Sequence, residues 1–209
     1  MPTNFEKIPA EEQQRILEIC LAEFADKSYQ RASTNAIVKA AGIPKGTLFY
    51  YFGSKKDLYL YLIDHAVDTY IDEAHSKLQD LPVELFERLF YMHEVRMKFV
   101  LQHPTIYQLL FNAFLNTPEE IMPQLQERTR RYAALAGARR LHGLDCSKFR
   151  EGVDVEKAIE LVSLVSEGLF NRYLPALKRT TTEGSLVLVE KIGDEVKDHF
   201  ELIKSGIYK

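Results

Sequence analysis

The stretch from Ser28 to Lys56 combines positive charge with hydroxyl and phenol groups. It contains five basic residues and no aspartate or glutamate, although the whole chain carries a net charge of −3. The basic residues are Arg31, Lys39, Lys45, Lys55 and Lys56. Such groups bind phosphate oxygens, so this end of the chain is expected to attract a polyanion that the acidic remainder would repel. Charge alone leaves a chance basic surface as the alternative.

Apolar spacing and helix-capping residues predict the elements that carry these groups. Ser33 or Thr34 can cap a helix, Gly42 can end it, Pro44 can open the next and Ser54 can cap another. The helices predicted for this part of the chain are about 10–27, 34–41, 45–51 and 55–79. The chain is therefore expected to begin with short helices joined by tight turns.

The rest of the sequence also has helical periodicity. Further helices are predicted at about 82–102, 105–115, 118–142, 154–178 and 183–204, with a loop at 143–152 and no convincing β-strand. The fold class is therefore all-α, with about nine helices. No apolar run is long enough to span a membrane, and the first nine residues carry no signal-peptide core. Cys20 and Cys146 have no metal-ligand spacing, so a cytoplasmic protein with reduced structural thiols is expected, with a redox role as the alternative.

Residues 34–53 have the pattern of a helix-turn-helix. Apolar residues fall at Ile37, Ala41, Ile43 and Leu48, and Gly42 lies where a tight turn needs a positive φ. In such a motif the N-terminal part of the second helix enters the major groove of DNA. The pattern predicts that residues 45–50 face outward.

Several short motifs of this region resemble the N-terminal signature of the TetR family of bacterial repressors. They are Ser33-Thr34, Ala40-Ala41-Gly42-Ile43, Lys45-Gly46-Thr47-Leu48, Tyr50-Tyr51-Phe52 and Lys55-Lys56-Asp57-Leu58. The resemblance covers about residues 10–63, and it departs from the family at Ser28-Tyr29, where a glycine usually precedes the aromatic residue. It implies a DNA-binding domain at 1–54 and a helical ligand-sensing and dimerisation domain at 55–209.

The resemblance also implies roles for individual residues. Lys45 is expected to reach a base edge, Gly46 to allow close backbone approach, and Tyr50 to pack on the sugar-phosphate or a thymine methyl. Phosphate contacts are expected from Thr34, Thr47, Tyr51 and Lys55. The alternative is that Tyr51 belongs to the core and Lys55 is a solvated surface lysine, whereas Phe52 is expected to be core.

The helices that follow are expected to form a sensor and a dimer surface. The expected ligand contacts are Phe90, His93, Arg96, Met97, Phe111, Phe114 and Tyr173. The alternative is that the aromatic residues simply fill the core and that His93 is hydrogen-bonded there. The helix at about 154–178 has a second apolar side at Leu161, Leu164, Val165 and Gly168, so it and the helix at 183–204 are expected to form a homodimer.

The leading interpretation is a transcriptional regulator that binds a double-stranded DNA operator and is released by a small apolar or amphipathic ligand. No catalytic motif such as GxSxG, a Walker loop or HExxH is present, so an enzyme is not expected. Neither a metal nor a cofactor is expected, because no His, Cys or carboxylate cluster has ligand spacing. The alternative function is a helical interaction protein whose helix-turn-helix no longer binds DNA.

Overall fold

The computed structural model describes residues 4–77, 81–115, 119–128, 130, 142–177 and 182–209; of these, the side chains of 75–77, 114, 115, 170, 174, 177 and 182–186 are not described. The described residues are almost entirely helical, as the sequence predicts. The complete α-helices are α1 (Ala10–Arg31), α2 (Thr34–Ala41), α3 (Lys45–Phe52), α4 (Lys55–Lys77), α5 (Leu85–Gln102), α6 (Pro104–Leu115), α7 (Val155–Leu177) and α8 (Thr182–Ile207). Residues 122–128 are also helical, and short 3-10 turns lie at Asn4–Lys7 and Glu119–Ile121.

The N-terminal helices begin and end at the capping residues that the sequence predicts. The Ser33 hydroxyl accepts a hydrogen bond from the Ala36 N–H at 3.3 Å and caps α2. The Ser54 hydroxyl accepts from the Asp57 N–H at 3.1 Å and donates to the Asp57 carboxylate at 2.6 Å. These side chains satisfy backbone donors that a helix start leaves without an internal partner.

Three boundaries of the helices named above differ from the sequence prediction by three or more residues; one is the end of α8, which lies at Ile207 rather than at residue 204. The first helix continues to Arg31 rather than to residue 27, because a helical turn resumes after a single non-helical residue, Ser28. The fifth begins at Leu85 rather than at Pro82. The Glu84 carboxylate accepts a hydrogen bond from the Glu87 N–H at 2.8 Å, so Glu84, which was not predicted as a cap, caps α5.

The chain divides into two compact units. The first comprises Met1–Glu73 and His103–Ala134, and the second comprises Ala74–Gln102 and Leu135–Lys209. In the first unit α1 packs against α2 and α6, and α2 packs against α3. In the second unit α8 packs against α5 and α7. The predicted sensor helix α6 therefore belongs to the same unit as the predicted DNA-binding helices.

A network of arginine side chains holds the loop and the C-terminus of the second unit. The buried Arg88 guanidinium donates to the carbonyl oxygens of Pro82, His142 and Gly143, at 2.6, 2.8 and 3.4 Å. The Arg150 guanidinium donates to the Ser205 carbonyl oxygen at 2.8 Å. In the described part of the chain, β-structure is limited to one isolated bridge between Phe149 and Tyr208.

The two cysteines lie in different environments. Cys20 is buried, and this burial raises the pKa of its thiol to about 12, which fits an unreactive core residue. Cys146 is exposed in the loop before α7, so the expectation that both thiols are structural is wrong for Cys146. Among the described residues, no helix is long and apolar enough to cross a membrane, and no group of His, Cys, Asp and Glu could hold a metal ion.

Candidate nucleic-acid interface

A tight turn at Gly42 sets the direction of α3. Gly42 has φ 64° and ψ 27°, the left-handed conformation that only glycine adopts without cost. Its N–H and that of Ile43 bond to carbonyl oxygens in the last turn of α2, and the Arg15 guanidinium donates to the Ala41 carbonyl oxygen at 2.7 Å. The end of α2 is therefore fixed by both backbone and side-chain hydrogen bonds. The predicted turn is confirmed.

The first turns of α3 present a basic and aromatic surface to solvent. Lys45 and Gly46 are exposed, Tyr50 is 67% exposed, and outside the backbone of α3 itself and the two residues next to Gly46 no atom lies within 4 Å of where a Cβ at Gly46 would be. The opposite side of the helix is buried through Leu48 and Phe52. The arrangement leaves open backbone and a cation on the face that a DNA groove would meet.

Tyr51 lies between this exposed face and the core. It is half-buried, and its ring contacts that of Phe5, with centroids 5.6 Å apart in an edge-on arrangement. Phe5 itself is fully buried and also packs on Phe52, at 4.7 Å between centroids. Thr47 is also half-buried. The N-terminal segment therefore packs against α3 through Phe5. The mixed polar sequence of residues 1–9 did not suggest this role.

Lys55 lies at the first turn of α4 and contacts the end of α1. Its ammonium group donates to the Gln30 carbonyl oxygen at 3.2 Å and lies 5.0 Å from the centre of the Tyr29 ring. Thr34 is half-buried at the first position of α2. The helix N-termini that carry these two residues attract anions. The Lys55 ammonium group can donate hydrogen bonds beyond the one to Gln30, because it carries three N–H donors.

The next lysine fixes the start of α4 to the segment that follows α6. Lys56 donates to the Glu120 carbonyl oxygen at 3.1 Å, and farther along α4 the Asp64 carboxylate forms a two-point ion pair with Arg128, at 2.6 and 2.7 Å. Burial, then a hydrogen bond with Glu120, raises the pKa of the Tyr29 phenol. Local sequence patterns do not predict these contacts, because each joins residues more than 60 positions apart.

Ser28 adopts a backbone conformation that disfavours a side chain. It has φ 59° and ψ 170° and is the only non-glycine residue with positive φ among the described residues. This region of backbone angles is occupied almost exclusively by glycine. The serine that stands at this position, where the family pattern usually has glycine, therefore strains the backbone.

The helix-turn-helix region matches a known family model. The model describes bacterial regulatory proteins of the tetR family, and it matches residues 16–62, which span α1 to α4. This part of the chain is similar to the TetR family. An HTH-type transcriptional regulator of Staphylococcus aureus (strain bovine RF122 / ET3-1), SAB2452, is 35% identical over 82 residues, which cover 36% of this chain and 44% of that protein. The chain thus matches less than half of that relative's length.

Solved structures share the fold over the whole length. A TetR family transcriptional regulator from Chloroflexus aurantiacus J-10-FL aligns with a TM-score of 0.72 at 24% identity, covering 100% of this chain and 99% of that one. A regulator from Saccharomonospora viridis, solved in complex with choline, aligns with a TM-score of 0.64 at 19% identity, covering 96% and 100%. At these identities the likeness shows the fold alone.

The residues expected to contact a ligand are divided between the two units. Phe111 is half-buried on α6 in the first unit, and the Phe114 side chain lies outside the described residues. The other five belong to the second unit: Phe90, His93, Arg96 and Met97 on α5, and Tyr173 on α7. His93 and Met97 are buried, whereas Phe90, Arg96 and Tyr173 are half-buried.

Two of these side chains have contrasting hydrogen bonding. The Tyr173 hydroxyl donates to the Glu195 carboxylate of α8, which also pairs with Arg172 at 3.1 Å. His93 has no hydrogen-bond partner for either ring nitrogen within the described part of the chain. Burial, followed by the nearby charge of Arg96, lowers the pKa of His93 to about 4. The expected alternative of a hydrogen-bonded core histidine is therefore wrong for His93.

One face of α7 is apolar and open to solvent. Leu161 is 47% exposed and Leu164 is 59% exposed, while Gly168 is exposed one turn farther along. On the opposite face, Ile159 and Val162 are buried in the core of the second unit. Val187 of α8 is also exposed, at 63%. The second apolar side of α7 therefore has no cover within the described residues of a single chain.

Proposed function

We propose that this protein is a sequence-specific DNA-binding repressor that acts as a homodimer in the cytoplasm and leaves its operator when it binds a small organic ligand. The observation that carries the proposal is the exposed face of α3. Lys45, Gly46 and Tyr50 point outward from a helix whose direction is fixed by the Gly42 turn and whose other side is buried. A short helix held in this way can enter the major groove with its N-terminal residues on base edges.

The neighbouring groups support the same surface. Lys55 at the start of α4, Thr34 at the start of α2, and Thr47 and Tyr51 on α3 supply ammonium, hydroxyl and phenol groups for phosphate oxygens. Lys45 is the cation that we expect to reach guanine O6 or N7. These phosphate contacts would position the protein, and Lys45 would read the sequence.

The open face of α7 supports dimerisation. Leucine side chains exposed side by side with a glycine beyond them, as at Leu161, Leu164 and Gly168, favour close packing against a second helix. A two-fold axis through this face would pair the two copies of α7 and α8. Two linked recognition helices bind far more tightly than one, provided that they fit half-sites about 34–36 Å apart.

Contacts inside the first unit supply a route by which α6 could control α3. Asn112 on α6 bonds to α1, and Lys56 and Asp64 on α4 bond to Glu120 and Arg128 in the segment after α6. A ligand that moved α6 would move the supports of α1 and α4 together. The ligand must bind the released state more tightly than the DNA-bound state for this to lower DNA affinity. The choline complex of the Saccharomonospora viridis regulator shows that a protein of this fold can hold a small molecule.

The test is to select, from a pool of DNA duplexes of random sequence, those that the full-length protein binds. We expect an enriched inverted repeat, with half-sites whose centres lie about one helical turn apart. The matched control is the Lys45→Ala variant, which should enrich a broader set at one position of each half-site. If no sequence is enriched and no salt-dependent binding to duplex DNA is measured, the proposal fails and a helical interaction protein remains.

A further inference from the structure

The Lys55 ammonium group contacts two successive residues at the end of α1. It lies 5.0 Å from the centre of the Tyr29 ring and donates a 3.2 Å hydrogen bond to the Gln30 carbonyl oxygen. An aromatic ring attracts a cation to its face, because the charge of the π-system is negative there. The hydrogen bond uses one N–H donor of the ammonium group, so Lys55 is held in place and can still bind a phosphate oxygen.

The Tyr29 ring that Lys55 contacts is fixed by the core of the first unit. Tyr29 is 8% exposed, and its ring centre lies 6.5 Å from that of Phe24 on α1 and 5.0 Å from that of Tyr59 on α4. Aromatic rings packed at these distances attract one another, and a buried ring has little freedom to turn. Lys55 therefore rests on a surface whose position depends on α1 and α4 together.

The Tyr29 hydroxyl is bound by an acidic residue of the segment after α6. Glu120 forms a hydrogen bond with this phenol, and its main-chain carbonyl oxygen accepts from Lys56 of α4 at 3.1 Å. Burial, then this hydrogen bond and the charge of Glu120, raise the pKa of Tyr29, so the phenol stays protonated and donates. A carboxylate that accepts from a phenol polarises the ring and makes its face more attractive to a cation.

We propose that Tyr29 and Glu120 are positioning residues that hold the Lys55 ammonium group in place for a DNA phosphate. This inference rests on the proposed function, in which Lys55 is a phosphate contact. A lysine side chain loses rotational freedom when it binds, and a contact made in advance removes part of that cost. Because Glu120 belongs to the segment after α6, a shift of that segment would weaken the hold on Lys55 without any change in α3.

A purely electrostatic role of Glu120 would have the opposite effect on DNA binding. A carboxylate near a basic surface repels DNA, so removal of its charge would strengthen binding. Loss of the bond to Tyr29 would instead weaken binding. Glu119 is exposed on the same 3-10 turn, so Glu119→Gln removes an equal charge and is the matched control for Glu120→Gln. Neither change alters the main-chain bond to Lys56.

The first measurement is the rate at which acetic anhydride acetylates Lys55 in the full-length protein without DNA, followed by mass spectrometry. An ammonium group held by a ring and a carbonyl oxygen should react more slowly than one in solvent. Tyr29→Phe, which keeps the ring and removes the hydroxyl, should raise this rate by about twofold or more, and Glu120→Gln should do the same. The rate at Lys39, which is exposed on α2, should not change. Glu119→Gln should leave both rates unchanged.

The second measurement is the affinity of the same variants for a labelled DNA duplex of about 30 base pairs and arbitrary sequence, at several salt concentrations. Tyr29→Phe and Glu120→Gln should each weaken binding by about threefold. They should leave the slope of log affinity against log salt unchanged, because Lys55 still reaches its phosphate. In the Lys55→Ala background neither change should have a further effect, a result that a general loss of structure would not give. Urea denaturation checks that each variant is folded.

Three results would overturn the assignment. They are an acetylation rate at Lys55 that Tyr29→Phe and Glu120→Gln leave unchanged, a loss of DNA affinity that persists in the Lys55→Ala background, and a gain in affinity that Glu120→Gln shares with Glu119→Gln. If the wild type shows no salt-dependent binding to the duplex, the proposed function fails and this inference fails with it. If the wild type binds and Lys55→Ala weakens binding, any of the three results removes this inference alone.

Discussion

The side-chain amide of Asn112 donates a 2.8 Å hydrogen bond to the main-chain carbonyl oxygen of Ala25. This bond is buried and joins α6 to the last regular turn of α1, three residues before the break at Ser28. Gln108, one turn earlier on α6, orients the amide by donating to its oxygen at 2.9 Å. The bond therefore joins a helix of the predicted sensor to α1, which packs against α2, the first helix of the helix-turn-helix.

Replacing Asn112 by leucine should lower the stability of the protein and weaken the attachment of α6 to α1. The change leaves the Ala25 carbonyl oxygen without its side-chain donor, so the free energy of unfolding should fall by about 1–2 kcal/mol. Urea denaturation measures this loss, and Thr105→Ala, at an exposed site on the same helix, is the control. A variant as stable as the wild type would show that the bond contributes nothing to holding α6 on α1.

Substitution of Ser28 by glycine should stabilise the protein. The φ of 59° and ψ of 170° cost a residue with a side chain about 1–3 kcal/mol, and glycine avoids most of this at some cost in unfolded-chain entropy. We expect a net gain of about 1 kcal/mol in the free energy of unfolding. Ser28→Ala is the matched control, because alanine bears the same strain and should gain nothing. Equal effects of glycine and alanine would contradict the account.

Much of the fold could be predicted from the sequence, because local signals determine it. The cap at Ser33, the turn at Gly42 and the buried side of α3 depend on neighbours within a few residues. The contacts of Asn112, Lys56 and Phe5 could not be predicted, since they depend on which distant helices meet. The same limit applies to His93, whose lack of a partner follows from all the helices packed around it rather than from its own neighbours in the chain.

The titration of His93 should make stability depend on pH in a defined window. Burial and the charge of Arg96 hold its pKa at about 4 in the folded protein, whereas the unfolded chain has the usual value near 6.5. The unfolded state therefore binds the proton first as the pH falls. Above about pH 6.5 the titration of His93 does not contribute to the pH dependence of stability. As the pH falls from about 6.5 to about 4, it lowers the free energy of unfolding by about 3 kcal/mol in total.

The His93→Leu variant isolates this effect. It should lose that part of the pH dependence, and at neutral pH it should be more stable by about 1 kcal/mol, because two unpaired buried nitrogens are removed. Urea denaturation at about pH 4.5 and 7.5 measures both quantities. Met97→Leu, a volume-conserving change one turn farther on, should keep the wild-type slope. A His93→Leu variant with an unchanged slope would mean that the imidazole is not held neutral by the fold.

A charge on the open face of α7 should separate the dimer. Leu164 is 59% exposed in the single chain, so Leu164→Glu should fold normally but place a carboxylate in the apolar contact between copies. Analytical ultracentrifugation should give a dimer for the wild type and a monomer for the variant. Val83→Glu is the control, because Val83 is equally exposed, at 60%, but lies outside α7 and α8. A Leu164→Glu variant that remains dimeric would place the interface elsewhere.

The most direct test of the central claim is a titration of the selected operator by the wild type, Lys45→Ala and Lys55→Ala at several salt concentrations. Lys45→Ala should cost about 1–3 kcal/mol of binding free energy and should relax the preference at one base pair. Lys55→Ala should weaken binding to all sequences alike and should reduce the slope of log affinity against log salt by about one. If Lys45→Ala keeps the full affinity and sequence preference of the wild type, the exposed face of α3 is not the surface that reads DNA.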